Sequence, residues 1–149
     1  MVDLLRRAKV EVLVASASGS REILSSHKVH ITADALAEEV DYSDVDLVVL
    51  PGGIPGTPNL AANKTVTDTC ITFAKAGKKV AAICAAPTIL GQLGYLKGKS
   101  YTCFTAMNAD FGGSYQDRGV VTDGNLITAR SAAYAIDFAY EIIRRLAGD

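Results

Sequence analysis

The sequence predicts an α/β fold in which a mainly parallel sheet is sandwiched between helices. Three observations predict it. Asp46-Leu47-Val48-Val49-Leu50 is a nearly unbroken apolar run, as expected of a parallel strand covered on both faces. Lys78 to Ile83 is a second buried strand, preceded and followed by helix-period sequence. Strands and helices then alternate, as a layered α/β domain requires. A chain of 149 residues, 49% hydrophobic and 21% charged, suits one domain over residues 1–149 with one core.

In chain order, Val2, Leu4 and Leu5 with Arg6 and Arg7 read as the last turns of an amphipathic helix, with basic residues at its C-terminus and no N-cap before it. Val10 to Ala15 reads as a strand. Arg21 to Leu24 and Lys28 to Thr32 read as short strands joined by a turn at Ser25-Ser26-His27. Ala33 to Val40 is expected to be loop or short helix. Pro51-Gly52-Gly53 ends the strand at 46–50, and two glycines there suit a close backbone approach.

Asn63 is the expected N-cap of a helix reaching about Ala76. Val66, Cys70, Phe73 and Ala74 share one of its faces, and Gly77 stops it. Pro87 suits the first turn of the helix after Cys84, where a missing N–H costs nothing. Ile89, Leu90 and Leu93 face the core, and Gly94 or Gly98 ends that unit. Tyr101 to Phe104 reads as a strand and Asn108 to Gly113 as a polar loop. Val120-Val121-Thr122 and Leu126 to Ala129 flank Asp123-Gly124, a hairpin signal. Tyr134 to Leu146 is a final amphipathic helix, with Phe138, Ile142 and Leu146 at spacings of four.

Composition excludes several classes of function. A net charge of -1 offers no basic face for sequence-specific nucleic acid or an anionic membrane. No apolar run is long enough to span a bilayer, so no membrane partner is expected. Cys70, Cys84 and Cys103 are odd in number and lack metal-ligand spacing. A reduced, cytoplasmic compartment is expected, with no metal and no cofactor.

Val80 to Thr88 carries the chemistry. A buried strand runs into Cys84 and then directly into a helix, whose first N–H groups have no intrahelical partners. A thiol beside such donors is favoured as a thiolate. Ligands of open α/β sheets bind beyond the carboxyl ends of the strands. Those ends are Pro51-Gly52-Gly53, Cys84-Ala85, Phe104-Thr105-Ala106 and Arg130-Ser131. Cys84 is the candidate nucleophile, with the N–H groups of Gly53 and Ala85 as oxyanion donors. The competing reading is an inert core cysteine, which is the expectation for Cys70 on its helix stripe and for Cys103 in its strand. A base is harder to find. His27 and His30 lie in the early hairpin and no histidine follows Cys84, which fails the order of a Cys-His hydrolase. Gly52-Gly53-Ile54-Pro55-Gly56 lacks the Lys and Ser/Thr of a phosphate-binding loop.

Leu47-Val48-Val49-Leu50-Pro51-Gly52-Gly53, Asn59-Leu60, Ala81-Ala82-Ile83-Cys84-Ala85-Ala86-Pro87 and Thr128-Ala129-Arg130 together resemble the ThiJ/PfpI (DJ-one) superfamily, and Val2 to Ala8 resembles its first helix. The similarity covers the whole chain and is greatest to the small dimeric deglycase-like members. It implies a flavodoxin-like three-layer sandwich of the class I glutamine amidotransferase type, a homodimer, and Cys84 at a nucleophile elbow with Gly53 and Ala85 as oxyanion donors. It implies a substrate pocket with Gly52, Phe104, Thr105 and Arg130. It also implies action on a small dicarbonyl such as methylglyoxal or glyoxal, or on a glycated adduct.

Two departures matter. The protease-like branch has His directly after the Cys, and some members have His where Phe104 stands; with Ala85 and Phe104 here, a peptidase is not expected. The family's first strand, which carries a glutamate that hydrogen-bonds the cysteine, is not matched. The expectation is therefore an N-terminally incomplete domain, either cleaved, mis-started or completed by a separate N-terminal segment. The functional expectation is a cysteine-dependent deglycase or cofactor-free glyoxalase. The alternatives are a redox sensor or chaperone using the same cysteine, and a catalytically degenerate member.

Overall fold

The computed structural model describes residues 1–148. Helix α1 (Val2–Arg7) buries Leu5 and has no side-chain cap, as expected. Arg6 leaves it to meet Asp34 at 3.1 Å and the Val12 carbonyl at 2.8 Å. There follow β1 (Ala15–Ser16), β2 (Glu22–Leu24), β3 (His30–Thr32), β4 (Ala35–Leu36), a 3-10 turn (Ala37–Glu39) and β5 (Leu47–Leu50). Then come α2 (Gly56–Ala62), α3 (Lys64–Lys75), β6 (Lys79–Ile83), α4 (Pro87–Gln92), β7 (Ser100–Tyr101) and β8 (Ser114–Tyr115). The chain continues through β9 (Val120–Asp123), β10 (Leu126–Ala129), a second 3-10 turn (Ala132–Tyr134) and α5 (Ala135–Ala147).

The main sheet has the order β5-β6-β10-β9. Its first three strands are parallel and β9 is antiparallel. Alternation along these strands divides the core into two layers. Val80, Ala82 and Leu126 face Cys70 and Phe73 of α3 and Ile89 and Leu90 of α4. Ala81, Ile127 and Ala129 face Leu5 of α1 and Phe138 and Ile142 of α5. Each large apolar side chain buried this way is worth about 1.5–3 kcal/mol. Helix, sheet and helix layers are thus the predicted sandwich. Asn63 caps α3 by accepting the Val66 N–H at 3.0 Å.

Several expectations need correction. Val10 to Ala15 is not a continuous strand: only Ala15 and Ser16 pair, with Ala35 and Leu36. The apolar pattern is present, but a strand also needs neighbours for its backbone. Among the described residues the N–H groups of Glu11, Val12 and Leu13 find no backbone acceptor. Within the expected loop or short helix at 33–40, residues 35–36 pair as a strand and 37–39 form the short helical turn. Tyr101 to Phe104 pairs as a strand only at its start, because Thr102 gives its N–H to the Thr128 hydroxyl at 2.9 Å and Phe104 gives its own to the Cys84 carbonyl at 2.7 Å. The hairpin register puts Gly124 and Asn125, not Asp123 and Gly124, in the loop. Helix α2 and strand β8 are elements that the sequence reading did not assign.

The sheet is also split. The four-stranded sheet stops at β5, and β1-β4 forms a separate pair. Lys79 donates to the Asp46 carbonyl at 3.3 Å. The alternation of a parallel ladder therefore turns the N–H and C=O of Val48 and Leu50 toward β6, and those of Leu47 and Val49 away from it. Hydrogen exchange on the 149-residue chain checks this edge. The amides of Leu47 and Val49 should exchange at least about 100-fold faster than those of Val48 and Leu50. Equal protection would mean that the edge is covered.

Candidate active site

Cys84 ends β6 with a φ of 65°, in the left-handed region that a residue with a Cβ avoids. Such a conformation costs about 1–3 kcal/mol and persists only where its surroundings impose it. Here they do. The Cys84 N–H donates to the Ala129 carbonyl at 2.9 Å, and its own carbonyl accepts from Phe104. Two residues further on, Ala86 donates to the Ile83 carbonyl at 3.1 Å, and the Thr88 hydroxyl donates to the Ala85 carbonyl at 2.6 Å. Residues 84–86 form a turn and α4 starts at Pro87, so the helix does not follow the cysteine directly.

Gly52 explains the glycine pair at the end of β5. A Cβ there would lie 2.6 Å from the Ile83 carbonyl oxygen, 2.7 Å from the Cys84 Cβ and 3.2 Å from the Ala85 nitrogen. Only glycine lets the two strand ends meet. Gly53 has open space around it but a φ of 95°, and its carbonyl accepts from Thr57 at 2.8 Å at the start of α2. The N–H groups of Gly53 and Ala85 have no acceptor among the described residues. Ala85 is buried, and a buried N–H without a partner calls for an explanation. A bound oxyanion supplies one.

The other predicted residues gather at the same sheet end. Arg130 follows Ala129, which is bonded to Cys84. Its N–H donates to the Gly119 carbonyl at 2.9 Å. Its guanidinium donates to the Thr105 hydroxyl at 3.2 Å and pairs with Asp117 at 2.7 Å. Phe104 lies beside Cys84 through its own N–H and leaves its ring half exposed. Asp117 is the member that sequence reasoning missed, because nothing in the polar 114–119 stretch marks it as a partner of Arg130.

Cys70 and Cys103 are buried in the α3/α4 layer. Burial pushes both thiols up to about 11, and for Cys103 the neighbouring Cys84 adds to the effect. At neutral pH they remain thiols, while Cys84 is partly exposed. The His27 ring hydrogen-bonds Ser26 and His30 is exposed in β3; among the described residues neither is hydrogen-bonded to Cys84. No side chain is hydrogen-bonded to the Cys84 thiol among the described residues. A groove of about 540 Å³ under β9 and α5, lined by Arg118, Asp137 and Glu141, does not include Cys84. No cysteine lines it, so the strained Cys84 marks the site better than concavity does. Among the described residues no cluster could hold a metal ion, and no helix is long and apolar enough to cross a membrane.

A left-handed cysteine at a strand end, abutted by a glycine from the neighbouring strand, agrees with a family match over residues 1–145. The chain belongs to the DJ-1/PfpI family. Drosophila melanogaster protein dj-1beta is 39% identical over 98% of this chain and 80% of its own length. The Caenorhabditis elegans protein named glutathione-independent glyoxalase DJR-1.2 is 29% identical over 98% of this chain and 78% of its own length. The chain spans about a third (34%) of the Arabidopsis thaliana DJ-1 homolog B, at 37% identity. Among solved structures, a DJ-1 superfamily protein from Salmonella typhimurium superimposes with a TM-score of 0.92 at 37% identity, covering 99% of this chain and 81% of that one. These likenesses carry the α/β fold of the DJ-1/PfpI family to this chain.

The packing at Gly52 and the strain at Cys84 each have a direct test. Gly52→Ala should destabilise the protein by about 1–3 kcal/mol, measured by urea unfolding, and slow alkylation of Cys84. Cys84→Gly should be more stable than Cys84→Ala by about 1 kcal/mol in the same measurement, because alanine keeps the left-handed cost. If the two variants unfold together, the turn is not strained.

Proposed function

We propose that this DJ-1/PfpI protein is a cysteine-dependent, cofactor-free enzyme acting on small reactive dicarbonyls, methylglyoxal and glyoxal, or on their adducts with other molecules. The observation that carries the reading is Cys84 held left-handed beside two N–H groups that have no acceptor among the described residues. The glyoxalase name of the C. elegans relative supports it.

In the proposed reaction the Cys84 thiolate attacks the aldehyde carbon, forming an S–C bond and a hemithioacetal. The oxygen takes the electron pair of the former C=O bond, and the Gly53 and Ala85 amides receive it. Hydrogen transfer from the first carbon to the second, followed by attack of water on the resulting thioester, releases the thiol. Methylglyoxal plus water becomes lactic acid, with no external oxidant or reductant. On an adduct, water replaces the attached amine or thiol instead.

Proton transfer needs a base that no described side chain supplies at the thiol. We assign it to a carboxylate on an extended segment seated beside the open edge of β5. A segment running parallel to β5 on that edge would end at the same sheet end as Gly52, which abuts the Cys84 turn. The facing backbone groups of Leu47 and Val49 support this assignment. A homodimer is also proposed, supported by the exposed Leu24, Val29 and Ile31 on the β2-β3 hairpin.

A second reading is favoured by the same two N–H groups, which suit the oxygens of a cysteine sulfinate formed by two equivalents of a hydroperoxide. Lactate assay separates the readings. The wild-type protein should form lactate from methylglyoxal without glutathione, and Cys84→Ala should fall to background. Lactate formation that survives Cys84→Ala would overturn the enzyme reading. Protection of client proteins only after peroxide, without turnover, would favour the sensor.

A further inference from the structure

We propose that, of the substrates named above, the adducts taken at Cys84 are ones that carry a carboxylate, which Arg130 and Thr105 bind in place of Asp117. The inference rests on the reading of Cys84 as the nucleophile and adds the chemical class of what it receives.

Cys84 is tied by its backbone to both recognition residues. Its N–H bonds to Ala129, one residue before Arg130, and its carbonyl bonds to Phe104, one residue before Thr105. Adjacent strands lie about 4.8 Å apart, so these bonds bring the backbones that carry Arg130 and Thr105 to the end of β6 beside Cys84. Arg130 is mostly buried, with 29% of its side chain exposed, and its backbone is held by Gly119. A guanidinium so placed needs an anion and presents its donors in a fixed fork suited to carboxylate.

The present partner is easily exchanged. Asp117 contacts Arg130 through a single 2.7 Å pair, its side chain is 72% exposed, and it makes no other side-chain hydrogen bond or ion pair among the described residues. An ion pair with one end in water holds weakly. Thr105 adds direction. Its hydroxyl oxygen accepts from Arg130, which leaves the hydroxyl hydrogen uncommitted among the described residues. An incoming carboxylate can accept from the guanidinium and from this hydroxyl together. Asp117 thus occupies the place of the substrate's anionic group until the substrate arrives, and its departure into solvent costs little.

Alkylation tests this without relying on turnover. Iodoacetate and iodoacetamide have the same shape, and only the first carries a carboxylate beside its reacting carbon. In each, the thiolate forms an S–C bond as iodide leaves. Rates at Cys84 are read by peptide mass spectrometry, and the ratio of iodoacetate to iodoacetamide is compared among variants. That ratio should fall about tenfold in Arg130→Met and rise about threefold in Asp117→Asn. The iodoacetamide rate reports whether each variant keeps its site, and the exposed Asp117→Asn change tests the proposal should Arg130→Met fold poorly. A ratio unmoved by both substitutions, with Cys84 still reactive, overturns the carboxylate assignment and leaves the nucleophile reading standing. A Cys84 inert to both reagents overturns both.

Discussion

The site depends on one contact: the Gly52 backbone against the Cys84 turn. Two parallel strands, β5 and β6, finish side by side, and the chain must reverse at both ends without collision. With no Cβ at Gly52, the Ile83 carbonyl and the Cys84 Cβ fit against the neighbouring backbone. That fit allows a left-handed residue at 84, and the bonds to Ala129 and Phe104 lock it there. The strain is sustained by a sheet whose central strands are buried on both faces. Cooperative packing of Ala81, Ala82, Ile127 and Ala129 opposes any relaxation of the turn.

The same locking defines the chemistry. A residue in an ordinary strand or helix spends its N–H in a ladder. The turn at 84–86 and the glycine pair at 52–53 withhold the N–H groups of Ala85 and Gly53 from any protein acceptor among the described residues. In the proposed reaction, donors left open beside Cys84 are preorganised for the charge that develops on the carbonyl oxygen. Around them the site is divided in character. Phe104 offers an apolar ring, and Arg130 with Thr105 offers a polar fork. A substrate with a carbonyl at one end and an anion at the other matches this division.

The split sheet gives the molecule a second distinctive surface. Backbone groups of Leu47 and Val49 on one side, and of Glu11 to Leu13 on the other, lack strand partners among the described residues. Open edges of this kind favour an added strand because only an extended backbone offers donors and acceptors at a period of two residues. The edge of β5 runs to Gly52, so whatever occupies it bears directly on the cysteine.

The sequence by itself determined the layered α/β architecture, the strands at 47–50 and 79–83, the Asn63 cap, the final helix and the gathering of Gly52, Gly53, Cys84, Ala85, Phe104, Thr105 and Arg130 at one sheet end. Apolar periodicity and glycine or proline punctuation are local signals, and strand order in an α/β fold converts them into a shared rim. Only the tertiary structure decided the rest. Val10 to Val14 is apolar enough for a strand, yet hydrogen-bond partners decide strandhood, and partners are not a property of the segment. Tyr101 to Phe104 lost its expected ladder to a threonine hydroxyl and to the Cys84 carbonyl, neither of which its own residues announce. Asp117 meets Arg130 only because the 114–119 stretch folds back to the ends of β6 and β10. Patterns along a chain report which faces bury; which backbone groups and charges meet depends on packing between segments far apart in sequence.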